Sequence, residues 1–346
     1  MIRLVLVAAC AVALFGPVAQ AQAPYTRFGE APVAPVVTDE DADAAAWRGW
    51  SQRSAAALAA RGQARDLAFA AVLQAGAQAG APPAGDAPSV AVAPDPQRTA
   101  WRRDAAAAAG DDVVANALLG ATGDADVRVR AAQRWLGAEP QNLAPLLMRG
   151  GSVDVLLADA RSATGFDLHM LDQVRWMQAA LLRTPPTPAE RAAFADGEDF
   201  VPAEHAAVTA AALWSAGIPD LQPLTEACTA AATRGDPARA RDCRHVAGVM
   251  AGQSDTLLGR LIGLDLLAQL AATPAERAAV QAQQRSADWT LYEWGRASAA
   301  LPRDGAAQFV RLLADGSIRS ESALIERALR EAGVAPEPPP GWQSPR

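Results

Sequence analysis

The sequence predicts an all-α protein: an array of antiparallel helical hairpins forming an α-solenoid-like superhelix, with no substantial β-sheet. Three observations carry this. Alanine supplies 86 of the 346 residues, and leucine and arginine, also good helix formers, are frequent. Only two tyrosines and few runs of β-branched residues are present, which leaves little material for a sheet. From Asp95 to Gly333, segments of ordinary helix length alternate with short glycine, proline or aspartate breaks.

The N-terminus reads as an export signal. Met1-Ile2-Arg3 carries one positive charge, Leu4 to Phe15 is uncharged, Gly16-Pro17 breaks the helix, and Ala19-Gln20-Ala21 presents small residues. This layout predicts a signal peptide over 1–21, cleaved after Ala21, and a periplasmic or secreted product. Val7-Ala8-Ala9-Cys10 offers a competing lipoprotein reading, although only six residues separate Arg3 from Cys10. No later stretch reaches ~18 uncharged apolar residues, so no transmembrane segment is expected after cleavage.

Residues 22–38, rich in proline and valine, read as an extended lead. Thr38-Asp39-Glu40-Asp41 then opens a helix, since carboxylates there answer exposed N–H groups and the helix dipole. That helix ends at Gly62, and a second one completes an N-terminal hairpin over 39–79. The acidic run is no calcium loop: an EF-hand needs glycine and glutamate where Ala44 and Trp50 stand. Residues 80–96 hold Pro82, Pro83, Pro88, Pro94 and Pro96, a density that permits neither helix nor central strand and predicts a linker.

A helical-repeat domain follows over 97–333, with breaks at Gly110-Asp111, Gly123-Asp124, Glu139 to Asn142, Gly150-Gly151, Pro185-Pro186, Gly217 to Pro219, Gly235 to Pro237 and Gly252. Two helix starts share their wording: Thr187-Pro188-Ala189-Glu190-Arg191 and Thr273-Pro274-Ala275-Glu276-Arg277. Threonine as N-cap, proline at the first position and glutamate at the third make a capping box. The 86-residue offset fits no hairpin period, so the match reflects capping chemistry, not duplication. Asp255 to Leu270 is the most apolar stretch, and Gly259 and Gly263 within it admit a close neighbour, so it should form the core centre with Val246, Val249 and Met250. The tail 334–346, with Pro336, Pro338, Pro339 and Pro340 around Trp342, is expected to be disordered.

The junctions Glu139-Pro140-Gln141-Asn142 and Gly235-Asp236-Pro237 resemble those of tetratricopeptide-like helical-hairpin repeat proteins. The resemblance covers 97–333 and implies a superhelix of packed hairpins. The chain departs from that family's small-residue pattern, with Trp135 and Arg128 ahead of Pro140 and Thr225 ahead of Pro237, which leaves the family's peptide-binding groove an open question here.

Charge and chemistry narrow the function. The net charge is −7, or −8 without Arg3, which disfavours nucleic acid. Every basic residue is arginine, excluding a P-loop lysine and a Schiff base. Cys228 and Cys243 lie symmetrically about the turn at Gly235-Asp236, which should bring them level in a hairpin, and export supplies an oxidising compartment, so they are read as a disulfide. Adding His245 makes the competing metal site, short of a fourth ligand. His169, His205 and His245 sit in no Gly-x-Ser-x-Gly or His-Glu-x-x-His motif, and His205 is expected exposed at a helix start. Arg319-Ser320-Glu321-Ser322 resembles the Glu-Ser pair of lytic transglycosylases, which would make Glu321 a general acid, but only 25 residues follow it and Ser320 suits a helix N-cap. Eight tryptophans (Trp47, Trp50, Trp101, Trp135, Trp176, Trp214, Trp289, Trp294) fill gaps between alanine-rich helices in one reading and line a groove for peptide or glycan in the other. No catalytic, cofactor or metal motif emerges. The expectation is an exported, non-enzymatic interaction or scaffold protein of the bacterial envelope with a protein partner; the alternative is a cell-wall-acting enzyme, marked by paired desolvated carboxylates in one cleft.

Overall fold

A computed structural model describes residues 39–78, 95–121, 124–195, 199–300 and 302–344. The segment 1–21 expected to be a signal, with Cys10, the expected lead 22–38 and residues 80–94 of the expected linker lie outside the described residues. Among the described residues the chain forms sixteen α-helices and no strand. They are α1 (Asp39–Ala59), α2 (Ala64–Gln78), α3 (Pro96–Ala108), α4 (Val113–Gly120), α5 (Ala125–Ala138), α6 (Ala144–Arg149), α7 (Val153–Asp159) and α8 (Met170–Leu181) in the first half. The second half adds α9 (Pro188–Phe194), α10 (Pro202–Ser215), α11 (Gln222–Ala227), α12 (Pro237–Gln253), α13 (Leu257–Leu270), α14 (Pro274–Ala300), α15 (Pro302–Ala314) and α16 (Glu321–Glu331).

Local side chains start most of these helices. Asp95 accepts from the N–H groups of Gln97 and Arg98, Asp112 from Ala115, Asp124 from Asp126 and Val127, and Asp236 from Arg239. Each such bond satisfies an orphan donor of the first turn, an effect of about 1 kcal/mol. Because Asp95 caps α3 and Pro96 occupies its first position, this helix begins inside the stretch read as linker. Both threonine-proline starts form the expected box: Thr187 and Glu190 exchange bonds, as do Thr273 and Glu276. Glu190 also pairs with Arg53 of α1, whereas Glu276 stays exposed.

Two apolar clusters make the interior. The first runs from Trp50, Leu58 and Phe69 of the N-terminal hairpin through Val174 and Met177 of α8 to Leu313 and Leu324. Helix α1 packs against α9, and α10 against α15, so the hairpin 39–79 shares one core with the C-terminal helices instead of standing apart. The Trp50 indole N–H donates to the Thr184 carbonyl at 2.7 Å, fixing that contact across 134 positions. The second cluster gathers Trp135, Leu143, Phe166, Leu224, Met250 and both cysteines. Helix α13 joins the two, giving Leu257 to the first and Leu266 and Leu270 to the second. Its partnership with α12 needs Gly263: a Cβ there would lie 2.4 Å from the Ala251 nitrogen and 2.7 Å from the Ala247 oxygen. The helix is not buried all round, as expected of a core centre; Asp265 and Gln269 face outward and Leu258, Leu261, Ile262 and Leu267 are half-buried.

Cys228 and Cys243 are joined by a disulfide, with Cα atoms 5.5 Å apart and both residues fully buried. The expected hairpin differs on one arm. Helix α11 ends at Ala227, and the chain from Cys228 to Asp236 runs through successive turns such as Asp236 N–H to Thr233 O at 3.1 Å. Thr229 and Thr233 bond back to nearby carbonyls there, which competes with a regular helix. A second departure is the tail, which is not disordered through Ser344: Trp342 stands edge-on to Trp289 of α14 at 5.3 Å.

Replacing both cysteines by serine, or reducing the protein, should lower its unfolding free energy by about 3 kcal/mol, because the bridge closes a loop spanning 15 positions. Chemical denaturation with and without reductant measures it, and coincident midpoints would show that the bridge contributes nothing.

Candidate functional site

The sequence candidates converge at one polar junction. Four segments meet: 139–143 after α5, 164–170 before α8, 253–257 between α12 and α13, and 320–321 at the start of α16. Backbone bonds lash them together, among them Leu143 N–H to Gly165 O at 2.8 Å, Phe166 N–H to Gln253 O at 3.1 Å, Asp255 N–H to Phe166 O at 3.1 Å, and Glu321 N–H to Asp255 O at 2.8 Å. The two resulting bridges, Asn142 with Gly165 and Phe166 with Ser254, are isolated ones.

Side chains complete the lashing. Asn142 uses all its capacity: its amide donates to Glu139 Oε2 and Asp167 O, each at 2.8 Å, and its carbonyl accepts from Ala144 and Asp167 N–H, each at 3.0 Å. Asp255 accepts from Leu168 N–H at 2.8 Å and Met170 N–H at 3.0 Å. Between those donors His169 adopts φ +53°, the left-handed region, and its own N–H goes to Asp167 Oδ1 at 2.7 Å. Three successive N–H groups thus all serve carboxylates, which offsets a backbone strain of about 1–2 kcal/mol. Glu321 accepts from Leu257 N–H at 2.7 Å, capping α13 from a distance of 64 positions.

The electrostatics follow from burial and partners. Burial, with the Asp167 carboxyl beside it, pushes Asp255 up to about 7 against the pull of its two N–H donors. Burial likewise raises Glu321 above the usual carboxylate range. Burial alone would lower His169, but Asp167, Glu139 and Asp255 outweigh it and hold the imidazole above its ordinary value. Glu139 moves down: burial is outweighed by hydrogen bonds from His169, Asn142 and Trp135. His169 Nε2 lies 2.9 Å from Glu139 Oε1.

Asp255 and Glu321 are therefore two desolvated carboxylates, each occupied at a helix start. A small cavity, of about 20 Å³ beside Trp135, Leu168 and Gln173, includes neither carboxylate in its lining and has room for about one water.

The other candidates lie elsewhere. The cysteines bond to each other, which removes the thiolates the metal reading needed. Among the described residues no group of three His, Cys, Asp or Glu is arranged to hold a metal ion, and no helix is long and apolar enough to cross a membrane. All eight tryptophans are buried or half-buried. His205 is not exposed as expected: its ring stacks on Phe194 at 4.5 Å and lies 5.1 Å from both Trp50 and Phe200. Burial in this aromatic cage holds it down to about 4, and its Nε2 has no partner. The flanking Phe194 and Phe200 were the available sequence signal. Comparison of the chain with protein families, characterised proteins and solved structures gave no match.

Two outcomes test this arrangement. Asp255→Ala strands two buried N–H groups and should cost about 2–4 kcal/mol by denaturant unfolding at pH 7, whereas a loss under 1 kcal/mol is what a solvent-exposed cap would give. His205 binds its proton more weakly folded than unfolded, so its contribution is present above pH ~6.5 and lost as pH falls through about 4. Asp255, raised, acts in the opposite sense over the same range. Wild type should lose about 3 kcal/mol more than His205→Phe between pH 6.5 and 4; parallel stability–pH curves would show that the cage does not disfavour the imidazolium.

Proposed function

We propose that this chain is a non-enzymatic protein-interaction or scaffold protein of the bacterial envelope, exported by the signal at 1–21. Its architecture is read as a tetratricopeptide-like array of hairpins, supported by the packing of successive helices, α1 on α2, α2 on α3, α4 on α5, α12 on α13 and α13 on α14. The contacts of α1 with α9 and of α10 with α15 join helices remote in sequence, so this reading requires the array to fold back on itself.

The observation that carries the reading is the use made of the chemical groups. Asp255, Glu321 and Glu139, the acids with the environments an enzyme would exploit, spend their oxygens on N–H groups and on His169 that hold four segments together. The competing envelope-enzyme reading rests on the two raised carboxylates, Asp255 and Glu321, and needs the junction to open.

Crosslinking the tagged protein in intact cells, with mass spectrometry of what it captures, should recover discrete envelope proteins. The purified protein should leave cell-wall glycan intact. Cleavage of the glycan by the purified chain, with no protein captured in cells, would reverse the assignment.

A further inference from the structure

The face of α14 around Trp289 and Tyr292 is the part of the molecule whose chemistry points to a definite ligand. The chain's own tail shows what fits it. The Trp289 indole N–H donates to the Ala335 carbonyl at 2.9 Å. That carbonyl precedes Pro336, and a proline-rich stretch has few N–H groups of its own, so its carbonyls are left as acceptors for an outside donor. The tail then reverses: Trp342 N–H donates to Pro339 O at 3.0 Å, and Gly341 has φ +80°. Proline followed by a positive-φ glycine is the requirement of a type II turn, and only glycine takes that φ without strain. The turn returns the Trp342 ring to Trp289 at 5.3 Å and to Tyr292 at 6.1 Å.

This grip is light. Residues Ala335 to Glu337 and Pro339 to Gly341 are exposed, Trp342 is half-buried, and Tyr292 keeps 41% of its surface in water. Between tail and helix an open cleft of about 690 Å³ remains, lined by Gln281, Gln284 and Arg285 on one side and Glu337 and Pro338 on the other. An indole donor, a group of aromatic rings and open space beside a proline-rich segment are parts by which such segments are generally recognised.

We propose that the Trp289–Tyr292 face of α14 binds a proline-rich segment of a partner protein, and that the tail from Ala335 to Trp342 is its tethered competitor. The inference rests on the interaction-protein reading and names the partner's chemistry. A tethered tail acts at an effective concentration near the millimolar range, so an external segment must be better matched or the latch weakened before it binds.

The test uses the full chain and a fluorescent synthetic peptide with the sequence of residues 335–346, read by polarisation. Wild type should bind the peptide weakly. Trp342→Ala, which removes the latch but not the receptor, should bind it roughly tenfold or more tighter. Adding Trp289→Ala to that chain should abolish binding while the melting temperature is retained; if that variant does not fold, Tyr292→Ala replaces it. Absence of saturable binding to the Trp342→Ala chain, or equal binding after loss of Trp289 or Tyr292, would overturn the proposal. If partners are still crosslinked in cells in amounts that Trp289→Ala does not change, the docking site falls while the interaction reading stands.

Discussion

The carboxylate of Asp255 holds the fold's most constrained backbone in place. It takes the N–H groups on either side of His169, and so sets the left-handed residue from which α8 departs. Its own backbone carbonyl receives Glu321 N–H, which places α16, and Glu321 in turn caps α13 through Leu257. Three helix starts that are distant in sequence are thereby fixed relative to one another by groups on two acids. Short side-chain caps act within one turn of helix and cannot do this; a carboxylate in the loop between α12 and α13 can. The burial that makes these bonds strong also raises both acids, so structure and acid–base behaviour have a common cause.

The helices themselves were legible because their signals are local. An aspartate or threonine before the first turn and a proline at its start specify an N-terminus wherever they occur, and Thr187 and Thr273 behave alike. The Cys228–Cys243 pairing was legible from a symmetric spacing about one turn, although the first arm is turns and not helix. The junction was hidden for the opposite reason. Asp255 and its acceptor role at Leu168 are 87 positions apart, and nothing near either residue announces the other. His205 was misplaced because Pro202 reads as a surface helix start, while Phe200 folds back across the imidazole. The tail was misread from composition: proline density argues against helix and sheet, but says nothing against resting on an aromatic pair.

The alanine-rich composition explains where the molecule is tight and where it is bare. A buried methyl removes little apolar area from water compared with a leucine or tryptophan, so helices rich in alanine cohere only where large side chains or close backbones meet. Gly263 provides such an approach between α12 and α13, and Trp50 and Trp135 anchor the two clusters. The first half of α14 has neither. From Pro274 to Ser286 its only larger apolar residue is Val280, and positions 274–279 are exposed. The same helix becomes buried at Ala287 and Trp294, once it has something to bury. Its outer half is helical because alanine, glutamine and arginine favour the conformation and Thr273 with Glu276 cap it, not because it packs. Trp289 and Tyr292 stand where this exposed helix enters the body, an aromatic surface against which the proline-rich tail rests.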